Sequence, residues 1–348
     1  MTPAGGGAIT RAAVVGTTAW GTTLAILLAR NAVPTLLLAR DAAEAARIAA
    51  TRRNERRLPG SELPAAVEVS ADAGALASAQ LVCFAVPSTA LAENARAVAE
   101  RIASDATLLS GTKGIDRDGR RMSELLAEVL PGHAVAALSG PNLSRELAAG
   151  LPGTTVIASR AASLEAVRRA FHSTHFRVYT TADIVGVEMG GALKNVIAIA
   201  GGMADALALG DNAKAAILTR GLAEMTRLGV AAGAEALTFQ GLAGVGDLMA
   251  TAYSPLSRNR RLGELIGGGM PLPRALETLA ATAEGASTVP AALQLARRLG
   301  VKMPITEALD AVLAGALTPR DAVSGLMERE PTSERPAPDT SAARERPR

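Results

Sequence analysis

Short apolar runs alternate with stretches of helical periodicity as far as about residue 180, and beyond that point the runs stop. The runs are "AAVV", "TLLLA", "QLVCFAV", "ATLLS", "AVAALS" and "TTVIAS", with "FRVYT" at the end; between them lie "TLAILLARN", "DAAEAARIAATRR", "STALAENARAVAERIA" and "RMSELLAEVL". Near-continuous apolar strands separated by helices must lie parallel, because each crossover covers a face of the sheet. Asp41 and Ser88 stand at expected N-caps, and Asn31 at a helix stop. The alternation therefore predicts an α/β domain over residues 10–180, a doubly wound and mostly parallel sheet.

The remainder predicts a different architecture. Between residues 214 and 228, Leu218, Leu222 and Met225 form one stripe at helical spacing, and Arg220, Glu224 and Arg227 form a polar one. Pro271, Pro290 and Pro304 each stand before a further helical stretch. Residues 181–328 read as an all-helical domain carrying the substrate site. The last twenty, "REPTSERPAPDTSAARERPR" (329–348), are too polar and proline-rich to support a core and read as a disordered tail.

Charge and composition narrow the partners. The net charge is only +3 and the cations are scattered, which argues against a nucleic-acid binder. The single Cys83 sits in an apolar run and reads as a buried strand residue. "MTPAGGGAIT" lacks the charged start and apolar stretch of a signal peptide. The most apolar region, residues 184–210, is interrupted by Glu188, Lys194 and Asp205, short of the roughly 18 uninterrupted apolar residues of a membrane span. The expectation is a cytoplasmic protein with no membrane span.

At the start of the sheet, "VVGTTAWGTTLAILLAR" runs from strand through loop into helix. The dinucleotide-binding pattern is GxGxxG; here Gly16 and Gly21 are kept and Thr18 replaces the middle glycine. Such a loop opens a Rossmann-like domain whose backbone amides face a pyrophosphate at the helix N-terminus; an ordinary βα turn that binds nothing is the plainer alternative. Thr18 either obstructs the phosphate or donates its hydroxyl to it, and the donor reading is favoured because threonine, unlike a bulky apolar residue, carries a donor. At the end of the second strand, "LLLARD" places Arg40 where an acid selects NAD and an arginine accommodates NADP. Arginines of "TRRNERRLPG", Arg57 among them, could join Arg40 around a 2′-phosphate, or all of them could be solvated surface. The balance favours NADP over NAD.

More particular segments follow: "GTKGI", "SGPNLSRELAAGLP", "GVEMGGALKNVIAIAGGMADAL", "NAKAAILTRGLAEMTRLG", "GLAGVGDLMAT" and "SRNRRLGE". In order and spacing, from about residue 10 to 328, the chain resembles the bacterial NAD(P)-dependent glycerol-3-phosphate dehydrogenases. The resemblance implies reversible reduction of dihydroxyacetone phosphate to sn-glycerol 3-phosphate, feeding glycerophospholipid synthesis, in a cytoplasmic homodimer. It implies Lys194 as the proton-transfer residue and Lys113 as a contact to both substrate and nicotinamide. Gly140, Asn142, Asp247, Ser257, Arg258 and Asn259 would complete the substrate site, with Arg258 also reaching the cofactor. Ala19, Trp20, Arg40, Ser144, Thr282 and Glu284 match cofactor-side positions, beside Gly16, Thr18 and Gly21. Thr18, Asn142 and Thr282 depart from the commoner residues of the family, which touches cofactor affinity more than chemistry.

The chemistry suits these side chains. Hydride arriving at a carbonyl carbon builds negative charge on oxygen, which a cation stabilises and a proton must then quench. A lysine amid "GGALKNVIAIA" is unusual because apolar surroundings penalise an unpaired charge, although a lysine snorkelling to water would fit the pattern as well. Arginine offers a fork of donors matching phosphate oxygens, so "SRN" suits a phosphate anchor, or else simply starts a basic helix. His133, His172 and His175 have too few partners to make a metal site, and no metal is expected. Two other readings remain: a different two-domain β-hydroxyacid-type dehydrogenase, and a cofactor-sensing protein that has lost catalysis.

Overall fold

A computed structural model describes residues 7–279 and 283–330. Eight strands alternate with helices in chain order: β1 (Ala12–Val15), α1 (Ala19–Arg30), β2 (Thr35–Leu38), α2 (Ala42–Thr51), β3 (Val67–Ser70), β4 (Leu81–Phe84), α3 (Leu91–Val98), β5 (Thr107–Ser110), α4 (Met122–Val129), β6 (Val135–Ser139), α5 (Ser144–Ala148), β7 (Gly153–Ala158), α6 (Leu164–Phe171) and β8 (Phe176–Thr181). They form one sheet in the order β3-β2-β1-β4-β5-β6-β7-β8, parallel throughout except for the antiparallel β6–β7 pair. This is the expected doubly wound sheet. Its strand order reverses between β1 and β4, and ligands of such sheets bind in the crevice outside the strand ends at that point.

Eight helices follow: α7 (Ile184–Ala206), α8 (Gly210–Ala231), α9 (Asp247–Tyr253), α10 (Arg258–Gly267), α11 (Leu272–Leu279), α12 (Glu284–Leu299), α13 (Pro304–Leu313) and α14 (Pro319–Met327). Among the described residues no strand lies beyond β8. α7 is long and apolar enough to cross a membrane, yet it is the buried centre of this helical bundle. Helices α8, α9, α10 and α12 pack around it. Close approach is bought with small residues: a Cβ on Gly202 would fall 2.0 Å from the Arg260 carbonyl oxygen, and one on Gly263 would fall 2.0 Å from that of Ile199.

Several local expectations hold for the expected reason. Asp41 caps α2 by accepting the Glu44 N–H at 2.8 Å, and Asn31 ends α1. Cys83 is fully buried in β4, and burial pushes its thiol pKa up.

Others are corrected. Ser88 does not cap a helix with its side chain; it begins a 3₁₀ turn after Pro87, and α3 starts only at Leu91. Pro290 lies inside α12 instead of before it, whereas Pro304 does open α13. β3, "VEVS", is an edge strand too short and mixed to stand out from its sequence. Glu224 does not sit on the solvated face of α8. Its side chain is buried and accepts the N–H groups of Ile305 (2.6 Å) and Thr306 (3.2 Å), closing the open N-terminus of α13. The part of 329–348 from residue 331 onward lies outside the described residues.

Candidate active site

The glycine loop sits at the sheet's reversal point, built by two demands on the backbone. Gly16 has φ +108°, open to glycine at little cost, and its N–H donates to the Leu38 carbonyl at 3.2 Å. A Cβ on Gly21 would fall 2.0 Å from the Gly16 carbonyl oxygen, so the first turn of α1 rests directly on the loop. Thr18 is the N-cap of α1: its hydroxyl oxygen accepts the Gly21 N–H at 2.9 Å. The hydroxyl proton goes to the Ala85 carbonyl at 2.6 Å, across the crevice to the end of β4. The donor that the sequence assigned to a phosphate is thus committed inside the fold. Asn54, wholly buried, braces the same loop by donating to the Thr17 carbonyl and the Thr22 hydroxyl, both at 2.8 Å.

One prediction follows for this threonine. Thr18→Val deletes the cap and one cross-crevice hydrogen bond, whereas Thr18→Gly retains an acceptable N-cap. Loss of a cap costs about 1 kcal/mol, against a few tenths for glycine. Calorimetry is expected to find the valine variant melting below the glycine variant. Nucleotide affinity is expected to follow loop integrity in the same order, so equal, large affinity losses in two equally stable variants would contradict the capping role.

Ala19 and Trp20 open α1, and the Trp20 ring lies against the loop after β5: a Cβ on Gly111 would stand 3.0 Å from its Nε1. That buried N–H has no hydrogen-bond partner among the described residues. Arg40 follows β2, exposed, and pairs with Asp41 at 3.3 Å. The Glu44 N–H, with Arg40 as a lesser cause, lowers the Asp41 carboxyl pKa. Arg57 is exposed as well, whereas Arg52 is consumed by backbone carbonyls of Leu63, Pro64 and Val67. Ser144 opens α5, and its carbonyl takes the Thr23 hydroxyl at 3.2 Å.

A second cluster is built where β5, β6, α7 and α9 meet. Asp247, buried at the start of α9, joins two lysines: Oδ2 accepts from Lys113 Nζ at 2.5 Å and Oδ1 from Lys194 Nζ at 3.0 Å. Lys113 also donates to the Gly140 carbonyl at 3.0 Å, and Lys194 to the Thr251 hydroxyl at 2.5 Å. Burial lowers the Lys194 pKa to about 8; Lys113 pushes in the same direction, and Asp247 and Glu284 oppose it. Burial alone would raise Asp247, but the two ammonium groups hold its carboxyl below the usual range. Thr251 was not singled out in the sequence, although it stands one helical turn after Asp247.

The remaining candidates surround this centre without all pointing into it. Glu284, half-buried at the start of α12, feels Arg258, Lys113 and Lys194 together and also takes the Ser88 N–H; burial nevertheless raises its pKa. Arg258 is exposed at the first position of α10, and Ser257 caps that helix by accepting the Arg260 N–H at 3.2 Å. Asn259 donates to Asn195 Oδ1 at 2.8 Å and accepts the Gly285 N–H at 3.0 Å, so its amide locks α10 to α7 and α12. Asn142 is equally engaged, donating to the Thr154 carbonyl and accepting from Thr155 Oγ1, both at 3.0 Å. Thr282 lies outside the described residues.

A dinucleotide-type loop at a sheet reversal point, facing a buried lysine pair beside a helical bundle, defines a two-domain nicotinamide-dependent dehydrogenase. Residues 11–165 match the NAD-dependent glycerol-3-phosphate dehydrogenase N-terminus and residues 183–324 the corresponding C-terminus. The chain belongs to that family. A relative from Methylibium petroleiphilum, named glycerol-3-phosphate dehydrogenase (NAD(P)+), is 49% identical over 337 residues, covering 94% of this chain and 100% of its own. One of the same name from an Acidovorax species is 47% identical, covering 92% and 98%. The crystal structure of glycerol-3-phosphate dehydrogenase from Coxiella burnetii superposes with a TM-score of 0.89 at 35% identity, over 92% of this chain and 99% of that one.

Proposed function

We propose that this chain catalyses reversible NAD(P)H-dependent reduction of dihydroxyacetone phosphate to sn-glycerol 3-phosphate, with Lys194 as proton donor and acceptor. The observation that carries this reading is the Lys113–Asp247–Lys194 cluster. An ammonium has three donors, and Lys194 spends two of them on Asp247 and Thr251. The third is left for a substrate oxygen. With its pKa near 8, the group can donate or accept a proton close to neutrality, as a reversible reaction requires. Asp247 stays ionised between the lysines and so orients them without competing as an acid.

The glycine loop, the orphaned Trp20 N–H and exposed Arg40 suit a nicotinamide dinucleotide. When bound, that cofactor supplies the hydride. Gly16, Thr18, Ala19, Trp20, Gly21 and Ser144 would line its path, with Arg40 and Arg57 at the ribose end, which favours NADP. Lys113 and Glu284 stand between cofactor and substrate. Lys194 places its charge beside the carbonyl oxygen and delivers the proton there as hydride reaches the carbon. Arg258 grips the phosphate, while Asn142, Ser257 and Asn259 hold the surrounding backbone in place. The product's chemistry suits glycerophospholipid synthesis, and the family likeness supports a cytoplasmic homodimer.

The test compares oxidation of NADPH and NADH with dihydroxyacetone phosphate, dihydroxyacetone and a panel of oxo acids. Turnover is expected with the phosphorylated ketone alone, and preference for an oxo acid would overturn the reading. Arg258→Ala is expected to weaken the phosphorylated substrate more than dihydroxyacetone, by about 1.5 to 3 kcal/mol for a charge-assisted contact. Equal losses for both ketones would show that Arg258 is not the phosphate anchor.

A further inference from the structure

The loop carrying Lys113 comes from the sheet, whereas Lys194 is on the central helix of the bundle, so their meeting across Asp247 depends on how the two halves are registered. The segment after Lys113 doubles back on itself. Ile115 and Arg121 pair as an isolated antiparallel bridge, and the Asp116 N–H donates to the Arg120 carbonyl at 2.9 Å. Three ties fasten this fold-back to the bundle. Ile115 is buried in the same cluster as Met189, Ala192 and Leu193 of α7. Arg298 of α12 donates to the Asp118 carbonyl at 2.6 Å.

The third tie is a carboxylate. Glu188, on α7, has a side chain only 4% exposed. Its Oε1 accepts the Ser123 N–H at 2.7 Å, and Oε2 accepts Arg121 Nη1 at 2.8 Å and Ser123 Oγ at 2.5 Å. Arg121 is held from its other side by Glu124, at 2.5 Å. Glu188 precedes Lys194 by six residues, about 9 Å along the helix. Midway, Gly191 has no side chain: a Cβ there would fall 2.4 Å from Ser139 Oγ and 3.5 Å from Lys113 Cγ. Successive turns of α7 therefore receive the base of the fold-back, the stem of Lys113, and finally the ammonium pair.

We propose that Glu188, acting through Arg121 and Ser123, is a positioning residue that sets the separation of the Lys113 and Lys194 ammonium groups across Asp247. An apolar contact at this place would allow sliding, whereas a fork of three donors on one carboxylate has a single register. A slip would strand a buried charge, and removing one partner of such a pair is strongly destabilising. Glu188 shares no hydrogen-bond partner with the charges facing Lys194, which are Asp247 from α9, Lys113 from the β5 loop and Glu284 from α12. Its influence on the centre is geometric. The proposal rests on the acid–base reading of Lys194 given above.

The test is the titration of Lys194 Nζ in the full chain, followed by NMR of labelled lysines, with Lys194→Met identifying the resonance. In Glu188→Gln the fold-back loosens, Lys113 withdraws, and Asp247 turns its charge more fully to Lys194. The midpoint is expected to rise by at least half a unit, with reductive kcat falling tenfold or more while the Kd for NADPH stays within twofold. Ser123→Ala removes one donor only, so its fold is retained, and the same upward displacement is expected in smaller measure. A lowered Tm with an unmoved Lys194 midpoint in both variants would overturn the proposal. Because the titration needs no substrate, a wild-type protein inert towards dihydroxyacetone phosphate would sink the activity reading and leave the latch decided separately.

Discussion

Lys194→Met is expected to abolish turnover while leaving the nucleotide bound. The substitution removes the proton donor, and loss of general acid catalysis alone is worth about 10²- to 10⁴-fold. It also removes the charge beside the nascent alkoxide, and electrostatic stabilisation of that kind is typically worth a further 10² or more. Methionine nearly matches the lysine stem in length and is tolerant of apolar surroundings, so the bundle around α7 should keep its packing. Stability need not fall, because a lysine whose pKa is held near 8 by burial is charged at neutral pH at some cost. The check is kcat beside NADPH affinity and Tm. A variant with near-normal kcat would remove Lys194 from the mechanism.

Asp247→Asn is expected to have the next largest effect, and its sign can be worked out. Asp247 is the group whose charge and hydrogen bond raise Lys194 against burial and against Lys113. Without that charge the two lysines face each other, and the Lys194 pKa falls below about 8. At pH 8 less of the enzyme then carries the proton required for reduction, about tenfold less for each unit of further shift. The falling limb of the reductive profile moves to lower pH. Leaving buried ammonium groups without their carboxylate also costs about 3 to 5 kcal/mol, the range for breaking a buried pair. A melting curve and a pH profile of the variant check both parts. An unmoved limb would mean that Asp247 does not govern Lys194.

The sheet was legible because its strands are apolar on both faces, so "AAVV" or "LVCF" stands out from helical neighbours without any tertiary knowledge. The edge strand β3 carries Glu68 and two partly exposed residues, and lacks that signature. Lys194 was legible as a lone charge in an apolar run. What escaped was side-chain direction. Thr18 was expected to face a phosphate, yet an N-cap hydroxyl turns back towards its own helix, and the Ala85 carbonyl across the crevice takes the remaining proton. Glu224 repeats at a polar spacing, and only the arrival of α13 from 80 residues away makes its position interior. Asn142 and Asn259, named as ligand contacts, have amides whose partners lie on other elements, which no spacing along the chain encodes. The family likeness located the site, and the packing assigned the work within it.

The most direct test of the acid–base account is the pH dependence of kcat in the two directions. Reduction needs Lys194 protonated, so its rate is expected to fall as pH rises through about 8. Oxidation of sn-glycerol 3-phosphate needs the neutral amine, so its rate is expected to rise through the same value. Measured from about pH 6 to about pH 10, the two profiles should cross as mirror images with one shared midpoint. Profiles that run in the same direction, or that stay flat across that range, would contradict the assignment of Lys194 as the proton-transfer group.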